Sequence, residues 1–157
     1  LLLLVSFSAA LIGRDQSAGV RGMLMCHGRP AANVKVKLYD DDTGPDLDDL
    51  LEAGVTDVNG RFQLQGTTDE IMTIDPKLNI YHDCDDGIMM YISLSLPDFF
   101  VSLLSLLFLQ PCQRRITIDI PSSYVSSGTI PQRVYDAGSI ELAGKFSGEE
   151  RDCFNRR

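Results

Sequence analysis

VRGMLMCHGRPAANVKVKLYD, Val20 to Asp40, is the stretch that decides the fold, because it reads as two strands joined by a turn. In Asn33-Val34-Lys35-Val36-Lys37-Leu38 the apolar residues recur at every second position. That period places Val34, Val36 and Leu38 on one face of a strand and two lysines on the other, the signature of a half-buried antiparallel sheet. The turn, His27-Gly28-Arg29-Pro30-Ala31, offers glycine for a backbone angle other residues avoid and proline to withhold a ladder donor. Gly19 to Cys26 supplies the first strand, with Val20 and Leu24 on one face and Arg21, Met23 and Met25 on the other.

Working outward, Leu51 to Asp57 and Arg61 to Gln65 read as two strands joined by Val58-Asn59-Gly60, a tight hairpin turn by its Asn-Gly pair. Thr67 to Pro76 has the look of a loop, and Leu78-Asn79-Ile80-Tyr81-His82 alternates again as an inner strand. Arg115-Ile116-Thr117-Ile118-Asp119-Ile120 alternates strictly, with three isoleucines toward the core. The last strand falls within Val134 to Phe146, around Ile140 and Leu142.

These segments, together with TGPDLDDLL from Thr43, TDVNGRF from Thr56 and YHDCDDG from Tyr81, resemble the nematode transthyretin-like family of small secreted proteins. The likeness runs from Ser17 to Met89 and from Pro111 to Asp152. It implies an all-β, transthyretin-like (prealbumin-like) antiparallel β-sandwich of about seven strands, occupying residues 19–153. It implies neither an enzyme nor a cofactor. The function it implies is a secreted binding or signalling module whose loops meet an extracellular or cell-surface protein, a lipid or a small apolar ligand.

Composition narrows the partners. Fourteen Lys and Arg against 22 Asp and Glu give a formal charge of −8, which repels phosphate backbones and argues against nucleic acid. Leu1 to Ala10 is an apolar run ending in small residues, with Ser8 and Ala10 at positions −3 and −1 of a cleavage site, so it reads as the remnant of a signal peptide. Secretion makes disulfides the expected state of the four cysteines, Cys26, Cys84, Cys112 and Cys153, for which three pairings are open. The family resemblance favours Cys84 with Cys112, because the family keeps that connection short, and leaves Cys26 with Cys153.

No CxxC pair exists and the two histidines are His27 and His82, so no metal site is expected. His82 with Asp83, Asp85 and Asp86 could form an acid–base cluster, but neighbours on an extended segment point to opposite faces, and the cysteine among them suggests a disulfide anchor. His27, on an exposed turn, has no partner base in its neighbourhood. The aspartates of Asp40 to Asp49 match no EF-hand spacing and read as a solvated loop rather than a calcium site. The 5-hydroxyisourate hydrolases, which share the transthyretin fold, need a histidine in the first strand and a YRGS-type end. Here Arg21 stands in that region and the chain ends RDCFNRR, so no catalytic residues are assigned. Nothing after Phe146 alternates, which weakens the case for a transthyretin-type tetramer channel.

Residues 90–110 are out of character: an apolar run rich in Leu, Ser and Phe, placed where the family runs almost directly from DDG to PCQR. Pro97 and Asp98 interrupt it, leaving Phe99 to Leu109 too short to span a bilayer. Phe, Leu, Ser and Pro are what pyrimidine-rich codons encode, and a closing Gln, here Gln110, is what an intron's terminal CAG becomes when translated. The run is read as a retained intron in preference to a membrane-inserting loop.

Overall fold

The computed structural model describes residues 13–41, 48–86 and 112–154. The N-terminal leader and the insert at 90–110 lie outside them. Two sheets face each other. In the first, β1 (Arg14–Cys26) pairs with β2 (Arg29–Pro30), β5 (Arg61–Glu70) and β8 (Ser126–Ser127) antiparallel and with β9 (Tyr135–Glu141) parallel. The second has the order β10-β7-β6-β3-β4, antiparallel throughout, built from β3 (Lys35–Asp40), β4 (Asp49–Val55), β6 (Pro76–His82), β7 (Gln113–Asp119) and β10 (Glu150–Asp152). This is a transthyretin-like β-sandwich, as the sequence leads one to expect.

The alternation in β3 is realised as read. Val36 and Leu38 are fully buried, and Lys35 and Lys37, which alternate with them, are half-buried. Their core partners are Val20 and Leu24 of β1, Phe62 and Leu64 of β5, Leu78 and Ile80 of β6, Ile116 of β7, Ile120 and Leu142. Each aliphatic side chain so enclosed contributes roughly 1.5–3 kcal/mol. Of the three isoleucines at 116, 118 and 120, the outer two are buried and Ile118 is half-buried at the core's margin.

Alternation reveals which face of a strand is buried but not which strand lies beside it, and here the sequence misleads. The two strands read in the Val20–Asp40 stretch, β1 and β3, do not pair with each other. His27 and Gly28 both take positive φ, 52° and 69°, and close a two-residue turn in which Cys26 opposes Arg29. The chain then leaves β2 and crosses to the other sheet as β3. Likewise β4 and β5 lie in different sheets rather than forming the expected hairpin. Of the Asn59-Gly60 pair only Gly60 has positive φ. Asp57 organises this corner, its carboxylate accepting from the N–H groups of Asn59 and Arg61 at 2.8 and 2.9 Å. The strands also run longer than read: β5 continues to Glu70 because β1 begins at Arg14 and pairs with it there.

Candidate functional site

A set of buried and half-buried polar side chains gathers where β1 and β6 end. His82 has the parity of Leu78 and Ile80, so its ring points into the sandwich and is only 2% exposed. Nδ1 accepts the N–H of Cys84 at 3.2 Å, while Nε2 has no hydrogen-bond partner. Arg114 lies opposite in the β6–β7 register and has the parity of Ile116. Its Nε and Nη2 each donate to the Glu149 carboxylate at 2.6 Å, Nη1 donates to the carbonyl of Cys84 at 2.6 Å, and Nη2 also reaches the carbonyl of Gly144. The hydrogen bonds and charge of Arg114 hold Glu149 down at about 2. Burial, assisted by the guanidinium, lowers His82 to about 4. His82 is therefore neutral at physiological pH.

The acidic residues after His82 do not converge on it. Asp83 accepts from Gln113 Nε2 at 3.1 Å. Asp86 takes a bidentate pair from Arg151 at 2.6 and 2.9 Å, and the same guanidinium donates to the carbonyl of Cys112 at 3.0 Å. Asp85 turns outward and meets His27, with Nε2 to Oδ1 at 2.7 Å. That corrects the expectation that His27 lacks a partner. The two are 58 residues apart, so local sequence could not show the pair.

All four cysteines are bridged, but in another pairing than the family resemblance suggested: Cys26 with Cys84, and Cys112 with Cys153. The reason is β10. By joining the outer edge of β7 with Asp152 opposite Gln113, it brings Cys153 beside Cys112. Cys84 is left for Cys26, where β1 ends on the facing sheet, with the two Cα atoms 6.0 Å apart. Further along β6 the described part of the acidic run closes on a lysine. Lys77 Nζ contacts Asp41 at 2.7 Å and Asp48 at 2.8 Å. Its hydrogen bond lowers the pKa of Asp41. Burial opposes the charge of Lys77, but the two carboxylates outweigh it and raise its pKa.

A separate feature lies on the first sheet. A groove of about 560 Å³ is lined by Arg21 and Met23 of β1, Arg61 and Gln63 of β5, Asp136 of β9 and Asp57 of the corner. Arg21 and Asp136 form an exposed ion pair at 3.0 Å. The N–H of Gly138 and then Arg21 keep Asp136 below the usual carboxylate range. The Arg61 guanidinium has no ion-pair partner among the described residues. The sequence singled out Arg21 only as a departure from the hydrolases; Arg61, on the far strand of the groove, carried no signal.

Residues 21–121 match the model of the transthyretin-like family. Transthyretin-like protein 5 of Caenorhabditis elegans is 52% identical over 155 residues, covering 99% of this chain and 96% of that protein. Transthyretin-like protein 33 of the same organism is 55% identical, covering 90% of this chain and 84% of that one. Among solved structures, (S)-allantoin synthase aligns with a TM-score of 0.41 at 16% identity, over 88% of this chain and 45% of that chain. On the family match and these two relatives, the chain belongs to the transthyretin-like family.

Proposed function

We propose that the protein is a secreted, extracellular binding module, with no catalytic role, that seats an acidic segment of a cell-surface protein in the groove of the first sheet. The observation that carries this is Arg61, a cation with no ion-pair partner among the described residues, facing the Arg21–Asp136 pair across an open groove. Opposite charge at a rim steers and orients a partner more than it adds raw affinity. A lining of two arginines and two aspartates suits a charged segment better than a small apolar ligand or a lipid tail. Two formed disulfides accord with an oxidising compartment, as does the apolar leader.

The test is binding of labelled protein to intact cells. Arg61→Glu should reduce saturable binding at least about tenfold, in line with the loss of one charged contact. Lys145→Glu, an equal charge change at a residue that does not line the groove, should not. Equal binding by the two variants, or binding that survives removal of surface proteins by protease, rejects the proposal.

A further inference from the structure

His27, Asp85 and the Cys26–Cys84 bridge make a group that the binding groove does not use. A ring nitrogen of His27 and the two sulfurs all lie within 4.8 Å of one another, and among the described residues no other group of three such atoms is as close. The imidazole is oriented by the Asp85 carboxylate at 2.7 Å. Both residues take positive φ, 52° and 58°, a backbone region uncommon for side chains larger than glycine. The surroundings hold them there. Glu141 accepts from the N–H groups of His27 and Gly28 at 2.9 and 2.8 Å, and the N–H of Gly144 reaches Asp85 at 3.4 Å. The bridge is half-buried and the imidazole is exposed, so a solvent thiol can reach both.

From this geometry we propose that Cys26–Cys84 is an exchange site for external thiols, with His27 as proton shuttle and Asp85 as its positioning residue. The imidazole takes the proton of an incoming thiol RSH, and the thiolate attacks one sulfur of the bridge. An S–S bond to R forms as the Cys26–Cys84 bond breaks, and the departing cysteine thiolate recovers the proton from the imidazolium. The product is a mixed disulfide and one cysteine thiol. A second RSH repeats the exchange, is oxidised to RSSR, and leaves both cysteines reduced. A protein thiol in place of RSH would be held covalently at this end of the sandwich.

Accessibility alone predicts the opposite preference. Cys153 is exposed, whereas Cys26 and Cys84 are each half-buried. The oxidised full-length chain is therefore treated with limiting glutathione, quenched with N-ethylmaleimide and mapped by mass spectrometry over time. Glutathione should appear on Cys26 or Cys84 before Cys112 or Cys153. His27→Asn, which keeps a residue tolerant of positive φ, should slow exchange at that bridge at least about tenfold and leave the other bridge's rate unchanged. Asp85→Asn should slow the same bridge by a smaller factor. A merely structural role for His27 has the opposite sign, because loosening the turn exposes the sulfurs and speeds reduction. Prior reaction at Cys112–Cys153, or an unchanged or faster rate in His27→Asn, overturns the proposal. The rate at Cys112–Cys153 in the same sample reports whether each variant is folded.

Discussion

Arg114 closes on Glu149 through two nitrogens, each 2.6 Å from a carboxylate oxygen, on a residue that shares its strand face with Ile116. The guanidinium is thus committed to the interior, where an unbalanced charge is expensive. Glu149→Gln should destabilise the fold by about 3 kcal/mol, the usual cost of breaking one side of a buried pair. Urea unfolding at neutral pH measures it. Arg114→Met with Glu149→Gln should recover part of the loss, since no charge is then left unpartnered.

His82 gives stability a pH dependence of defined direction. Its pKa is about 4 in the folded state against an ordinary 6.5, so the unfolded chain binds the proton more readily. The stability it contributes is complete above pH 6.5 and is lost as pH falls toward 4, to about 3 kcal/mol in total. Thermal melts from pH 8 to 4 should show Tm declining through that window. His82→Asn should flatten the upper part, since Glu149, at about 2, gives up its share only at lower pH.

Gly60 is fixed by contact as well as by its backbone angle. At φ 73°, a Cβ there would sit 2.3 Å from the carbonyl oxygen of Leu24. Gly60→Ala should cost more than about 2 kcal/mol, combining a left-handed backbone with displacement of β1. A denaturation midpoint within error of the parent protein would show that the corner yields freely.

Two isoleucines on one strand should behave differently. Ile116 is 3% exposed and Ile118 is half-buried. Ile116→Asp buries an unpaired carboxylate and should prevent stable folding, whereas Ile118→Asp should cost about half as much, its carboxylate reaching water at the margin. Circular dichroism melts of the two variants, compared side by side, check the order.

The buried faces of β3, β6 and β7 were legible because alternation is a local property, and Val36, Leu38, Leu78, Ile80 and Ile116 all lie where it puts them. Sheet membership was not legible. The turn at His27-Gly28 and the corner at Asn59-Gly60 resemble hairpin turns, yet each feeds a crossing between sheets. The cysteine pairing failed for a related reason, since three residues of β10 redirect Cys112 and carry too little alternation to be seen. Arg114 is in phase with the three isoleucines, and an inward-facing arginine needs a buried anion. Its partner Glu149, like the Asp85 that meets His27, comes from a segment too distant for any local pattern to connect.

The position of β1 bears on how the chain reaches this state. It is the one strand to which every other strand of its sheet is bonded, and its parallel partner, joined through Val20 and Tyr135, comes from near the other end of the sequence. A nascent chain emerging N-terminus first can pair β1 with β5 early, but the far edge of β1 waits for β9. Until then a long strand displays unsatisfied amides along one side, an open template for neighbouring chains. Assembly is therefore gated by the last third of the polypeptide, and conditions that stall synthesis or delay closure favour intermolecular association over the native sandwich.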